Sequence, residues 1–195
     1  MTLWLASASP RRKEILTTLG ITFSVHVTNV DETERAGEAP AAYVARVARD
    51  KRLAAREALS KVEGTSPAIL AADTTVAIDD RILGKPASDT EACAMLALLS
   101  GRTHFVHTAI SIEHGEQMHE AVITTEVVFS ALDPQAIARY VASGEAKDKA
   151  GAYGIQGMAG GFVARIVGSY TNVVGLPAHE TVQGLLAVGA LSAWP

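Results

Sequence analysis

Leu3-Trp4-Leu5-Ala6-Ser7-Ala8-Ser9-Pro10-Arg11-Arg12 decides how this chain folds, because a short apolar run gives way within a few residues to a helix start. Leu3 to Ala6 reads as a strand. A serine followed by proline in the first helical turn caps and begins a helix, here Arg11 to Leu19, and Gly20 stops it. Ile21 to Val27 then alternates like a second strand. The chain therefore opens β-α-β. That first turn also leaves backbone N–H groups pointing outward at the positive end of the helix dipole, a place that suits an anion. An ordinary helix start has the same serine and proline, but its first-turn charge is usually acidic. Two adjacent arginines there oppose the dipole unless an anion offsets them.

Outward from this turn, strands and helices mix without repeats. Pro40 to about Ser60 is alanine-rich and helical, followed by a loop at Gly64 to Pro67. Ala68 to Ala72 is a short apolar strand, and Thr75 to Ile78 with Arg81 to Leu83 suggests a hairpin turning at Asp79-Asp80. Ser88 or Asp89 caps a helix ending near Ser100-Gly101. Thr103 to Glu113 and Glu120 to Leu132 are long β patterns joined around Gly115 and should pair antiparallel. Asp133-Pro134 starts a helix through Ala142, Phe162 to Val167 is a strand, Tyr170 to Val174 a short helix, and Ala178 to about Val188 a terminal helix. The sum is an α/β protein with a mixed sheet, its central β meander separating two helix-rich portions.

Composition narrows the function. At 195 residues and 48% hydrophobic content the chain suits one domain, with room for two lobes around a cleft. Seventeen basic against twenty-one acidic residues give a net charge of −4, and aromatics make up only 5%. Both argue against nucleic-acid or membrane binding by bulk charge, so an anionic ligand needs a local basic cluster. The single cysteine, Cys93, excludes an intrachain disulfide and fits a reducing cytoplasm. Ala6-Ser7-Ala8 resembles a signal-cleavage site, but the apolar stretch before it is short and lacks a basic flank.

Several residues look chemical. On a helical wheel Val44, Val47, Ala48, Ala55 and Ala58 share one face with Lys51 at its centre, where a lysine must snorkel or meet an anion. Asp73, after Ala68-Ile69-Leu70-Ala71-Ala72, is expected at the carboxyl end of a buried strand, where α/β sheets collect ligands; it could bind a hard cation, take a proton from water, or only form a turn. Lys85, fixed extended by Pro86, is a solvated lysine or a phosphate contact. Glu32 belongs to an acidic loop, and becomes interesting if it meets Asp73 around magnesium. Residues 143–157 are either a surface loop or a close-approaching wall, with four glycines and a Gln156 able to read a base edge. The histidines lack metal-ligand spacing, and His104 and His107 read as strand residues.

Taken together, Ser7-Ala8-Ser9-Pro10-Arg11-Arg12, Ala72-Asp73-Thr74-Thr75-Val76, Gly84-Lys85-Pro86, Ser100-Gly101-Arg102-Thr103-His104, Tyr140-Val141-Ala142-Ser143-Gly144-Glu145, Lys149-Ala150-Gly151-Ala152-Tyr153-Gly154-Ile155-Gln156-Gly157 and Val174-Gly175-Leu176-Pro177 resemble the Maf family of nucleoside triphosphate pyrophosphatases, in family order over nearly the whole chain. The resemblance implies one Maf-like domain over residues 1–195. It would be a two-lobed α/β fold similar to the inosine triphosphate pyrophosphatases, homodimeric, with substrate in the cleft between lobes. Ser7, Arg12, Lys51 and Lys85 would hold phosphates. Glu32 and Asp73 would bind Mg²⁺ or Mn²⁺, with Asp73 also the general base and Lys51, Lys85 and Glu32 sharing the catalytic work. Arginine at Arg11, threonine at Thr74 and glutamine at Gln156 are similar to the branch acting on dTTP and UTP; the branch acting on 7-methyl-GTP has tryptophan in place of Arg11. The family name, from septum formation, leaves a second reading: a nucleotide-binding regulator of division without essential turnover.

Overall fold

The computed structural model describes residues 2–60 and 67–195. Residues 64–66 of the expected loop lie outside them. β1 (Leu3–Leu5) leads into α1 (Pro10–Thr18), and the chain returns as β2 (Phe23–Val25), parallel to β1. Ser9 is the N-cap, its hydroxyl accepting from Arg12 N at 3.5 Å. At the other end Gly20 takes a φ of 70°, and Ile21 N donates to Leu16 O while Gly20 N donates to Thr17 O. This left-handed cap reverses the chain and buries Ile21 beside Leu16.

α2 (Pro40–Leu59) is followed by β3 (Ala68–Ile78), which turns through Asp79 and Asp80, both at positive φ, into β4 (Arg81–Leu83). Aspartate tolerates the left-handed conformation such a two-residue hairpin needs. α3 (Asp89–Leu99) is capped by Ser88, whose hydroxyl accepts from Glu91 N. β5 (Thr103–His114) and β6 (Gln117–Phe129) form a long antiparallel hairpin around Gly115, tighter than the sequence suggested. α4 (Pro134–Ala142), β7 (Val163–Val167), α5 (Tyr170–Val174) and α6 (Ala178–Ala187) complete the chain.

Among the described residues seven strands make one mixed sheet in the order β2-β1-β3-β5-β6-β7, with β4 paired to β3; β1 is parallel to β2 and β3, and the other pairings are antiparallel. β3 organises the core, because its side chains alternate between faces. Leu70 and Ala72 pack with α1 and α6 residues such as Leu16 and Leu185, and Val76 and Ile78 with α3 and α4 residues such as Leu96 and Ile137. On the other face Ile69 and Ala71 meet Ala55 and Leu59 of α2. Among the described residues no helix is long and apolar enough to cross a membrane.

β3 corrects one expectation. Asp73 does not end a strand; β3 runs through it without a break, and Asp73 pairs in register with Ala109 of β5. On the opposite edge, however, β1 pairs only with Ala68 to Leu70 and β4 only with Val76 to Ile78. Residues 71–75 are left without a strand neighbour on that edge, and the sheet opens between the exits of β1 and β4.

Candidate active site in the gap of the sheet

The gap is the floor of a cleft of about 810 Å³. Ser7, Arg11, Arg12, Glu32, Lys51, Asp73, Thr74, Lys85 and Gln156 all line it, so every site residue expected from the sequence is drawn to one place. They arrive from five segments: the turn after β1, the loop between β2 and α2, the middle of α2, the unpaired stretch of β3 with the exit of β4, and the loop before β7.

Because Asp73 and Thr74 are consecutive in a strand, they point to opposite faces and gather different partners. Asp73 faces α2, where Lys51 Nζ donates to Asp73 Oδ1 at 2.8 Å. The same ammonium lies 2.8 Å from Glu32 Oε1, so the two carboxylates meet around one cation. The lysine on an apolar helix face is thus held by anions of its own chain, rather than snorkelling to solvent. Asp73 is only 6% exposed, and burial raises its carboxyl above the usual 3.8, with Lys51 and then Arg12 opposing that rise. Glu32, by contrast, keeps nearly half of its side chain in solvent.

Thr74 faces α1. Arg12 Nη2 donates to Thr74 Oγ1 at 3.1 Å, Nη1 to Ser7 Oγ at 3.0 Å and Nε to Gly175 O at 2.8 Å. Three of its five donors are therefore spent on neutral oxygens, and the guanidinium is fixed before any ligand arrives. Burial holds Arg12 below its ordinary value, with the Asp73 charge opposing. This resolves the first-turn paradox for Arg12, which is packed against Ser7, Thr74 and Gly175, whereas Arg11 remains partly exposed at the cleft. Behind Thr74, Thr108 Oγ1 lies 2.9 Å away and also donates to Asn172 O, and Asn172 Nδ2 donates to Val106 O and Thr125 Oγ1. This buried polar layer ties α5 to the sheet and supports Arg12 from below.

The loop over residues 143–157 is a wall built by close approach, not a free surface loop. Gly151 has φ 66°, and a side chain there would meet Val76 at 2.9 Å, so the backbone lies directly against β3. Its N–H donates to Gly84 O, joining this loop to the exit of β4 beside Lys85. Glu145 braces the far end: its carboxylate accepts from Tyr140 OH at 3.2 Å and from Met158 N at 3.0 Å, and a Cβ at Gly157 would collide with it. Lys149 Nζ donates to Glu145 O at 2.7 Å, and Tyr153 OH pairs with His104 Nε2 at 2.8 Å in a fully buried aromatic layer with Phe129. Burial lowers the His104 imidazole to about 4, so it is neutral at physiological pH. Gln156 sits exposed at the end of this braced segment.

Tyr43, Glu145, Lys149 and Tyr153 also line the cleft and were given no role from sequence, nor were Thr108 and Asn172 behind it. Neither of the last two stands out locally, since β5 also carries Thr103, His104, His107 and Ser111, and α5 also carries Thr171. Among the described residues no group of three or more histidine, cysteine, aspartate or glutamate side chains is disposed to hold a metal. The Glu32–Asp73 pair is all oxygen and already converges on a cation, a donor set suited to a hard ion that takes its remaining ligands from water or phosphate.

The chain is 48% identical over 187 residues to the dTTP/UTP pyrophosphatase of Methylobacillus flagellatus, covering 96% of this chain and 92% of that protein. It is 50% identical over 193 residues to that of Bordetella avium (96% and 95% covered), and 47% identical over 190 residues to that of Salmonella typhimurium (97% and 94%). Among solved structures, a nucleoside-triphosphatase / dITP/XTP pyrophosphatase from Mycobacterium abscessus matches with a TM-score of 0.37 at 17% identity over 66% of this chain and 73% of that one. The Ham1 protein of Staphylococcus aureus matches with 0.39 at 15% identity over 66% and 72%. A family described as Maf-like protein matches residues 2–188, a span that takes in every residue lining the cleft, and the chain is a member of that family.

Proposed function

We propose that this chain hydrolyses dTTP and UTP to the nucleoside monophosphate and pyrophosphate. The observation that carries the proposal is the meeting of Glu32 and Asp73 around Lys51 in a cleft that also holds Ser7, Arg12 and Lys85. A triphosphate needs cations along its length and a carboxylate near the bond to be broken. Arg12, pre-set by Ser7 and Thr74, together with Lys51 and Lys85, neutralises phosphate oxygens and the charge that develops on the leaving group. Asp73, buried and raised above an ordinary carboxyl, takes the proton from the attacking water. The water oxygen forms the new bond to the α-phosphorus, the bond from that phosphorus to the bridging oxygen breaks, and pyrophosphate leaves with the electron pair. Bound by Glu32, Asp73 and phosphate oxygens, Mg²⁺ or Mn²⁺ would add neutralisation of phosphate charge and lower the pKa of the attacking water.

Arg11, Thr74 and Gln156 set the choice of base in this proposal. The names of the relatives at 47–50% identity support pyrimidine triphosphates as substrates. The family resemblance supports two lobes around the cleft and a homodimer, and the single cysteine supports a cytoplasmic setting. Pyrophosphate release from dTTP, UTP, 7-methyl-GTP and modified pyrimidine triphosphates, each with Mg²⁺ and Mn²⁺, is the test. Faster turnover of 7-methyl-GTP contradicts the choice of base, and tight binding without pyrophosphate release favours the regulator of division.

A further inference from the structure

Glu32 presents a physical problem that the site itself does not solve. It lies in the segment between β2 and α2, residues 26–39, which has no helix or strand, and its side chain is 48% exposed. A residue in the middle of such a segment would sample many positions, yet its carboxylate must meet Lys51 within hydrogen-bond distance.

Two α2 side chains one turn apart supply the fixed point. Tyr43 OH donates to the backbone carbonyl of Glu32 at 3.0 Å, and Arg46 Nη2 donates to the next carbonyl, that of Thr33, also at 3.0 Å. Arg46 then reaches the end of the segment. Its Nε and Nη2 donate to the two oxygens of Glu38, each at 2.7 Å, in a bidentate pair whose side chains are only 13% and 10% exposed. Glu38 Oε2 in turn accepts from Arg35 N at 3.1 Å, and Arg46 lies over the Tyr43 ring and 3.7 Å from Asp50. One guanidinium thus fastens the segment at Thr33 and at Glu38 to the helix that carries Lys51. Arg46 itself does not line the cleft.

We propose that Arg46, with Glu38, is a positioning residue that holds Glu32 against Lys51 and Asp73 and so sets how tightly the site takes up its divalent cation. This rests on the reading of Glu32 as a cation-binding carboxylate. Arginine is required because a planar fork serves a carboxylate and a carbonyl at once, which a lysine ammonium does not reproduce. Outer residues that orient a ligand in this way typically govern affinity about 10–100-fold.

The test is a double-mutant cycle read by Mn²⁺ binding, using paramagnetic resonance in the presence of α,β-imido-dTTP so that no turnover is involved. Arg46→Ala is expected to weaken Mn²⁺ binding by about tenfold, Arg46→Lys by less, and Glu32→Gln by at least as much as Arg46→Ala. In the Glu32→Gln background Arg46→Ala should add nothing, because its effect passes through Glu32. Turnover of dTTP at saturating Mn²⁺ should stay within a few-fold of wild type in Arg46→Ala. Equal weakening by Arg46→Ala in both backgrounds, or no weakening in either, overturns the proposal. Glu38→Gln carries the same cycle from the other side of the clamp, so the outcome does not depend on one variant folding. If Glu32→Gln leaves Mn²⁺ binding unchanged, the role given to Glu32 fails first and the positioning role falls with it, a result distinct from equal weakening in both backgrounds.

Discussion

The two walls of the cleft are built on opposite plans. Ser7, Arg12, Lys51 and Asp73 sit on or beside α1, α2 and β3, each less than a tenth exposed and cross-linked to one another or to the sheet. Arg11 and Gln156, two of the residues proposed to choose the base, are partly and fully exposed, and Gln156 lies on a loop shaped by glycines and a braced glutamate; Lys85, a proposed phosphate contact, is the exception that is also exposed. The difference teaches where each kind of work can be placed. Charges that act on a phosphate gain from a dry, preorganised setting, because removal from water strengthens them and fixed partners remove the cost of reorganisation. A residue that discriminates between bases has only to touch one edge of the ligand, so it can stand on a loop whose shape varies while the buried wall stays unchanged.

The buried wall is broken most directly by Asp73→Asn. Turnover should fall by at least about a hundredfold, the usual scale for a lost general base, even at saturating metal. Stability should respond in the other direction. A carboxyl raised by folding favours the protonated form; its contribution is fully present below the ordinary 3.8 and lost as pH rises through the raised value, so at pH 7 the ionised group is a burden. Losing one partner of a buried ion pair normally costs about 3–5 kcal/mol because the other charge is stranded. Here Lys51 keeps Glu32 at 2.8 Å. Thermal unfolding of the variant at pH 7 should therefore be unchanged or higher than wild type, and a drop of many degrees would mean that this wall serves the fold instead of the chemistry.

The exposed wall is sharpened by Gln156→Ala. The ratio of kcat/KM for dTTP over 7-methyl-GTP should shift by about tenfold, with the melting temperature within a degree or so of wild type. Loss of activity on every nucleotide alike would instead make Gln156 part of the phosphate machinery. The smallest effect concerns His104, which anchors the exposed wall from beneath through Tyr153. Because burial lowers His104 from 6.5 to about 4, its contribution to stability is present above pH 6.5 and is lost as pH falls toward 4. His104→Gln should flatten the stability curve across that window, as followed by denaturant unfolding at several pH values, and should leave rates at pH 8 near wild type.

The same contrast governs what could be read in advance. Lys51 was legible because helical periodicity places a charge on an apolar face, a local conflict that demands a partner. The β-α-β opening and the hairpin at Asp79-Asp80 were legible from caps and turn residues. Asp73 was misplaced at a strand end because a carboxylate interrupting an apolar run looks like a terminus. The strand continues because β5 pairs with it through this position, and Lys51, 22 residues earlier in the chain, meets the charge. Arg46 was invisible among the other bases of α2, since nothing local separates an arginine in solvent from one that straps a distant loop.

By itself, the sequence determined most of the segments that form helices and strands, which side chains conflict with their local pattern, and the family to which the chain belongs. These follow from periodicity, capping and residue type, all of which act over a few residues. Only the tertiary structure decided that pairing along one edge of β3 stops where β1 ends, at Leu5 opposite Leu70, and where β4 ends, at Leu83 opposite Val76, leaving residues 71–75 unpaired there. That gap, and the meeting of Glu32 with Asp73 around Lys51, depend on register and long-range packing. Their energy lies in contacts between segments far apart in the chain, and no local pattern encodes it.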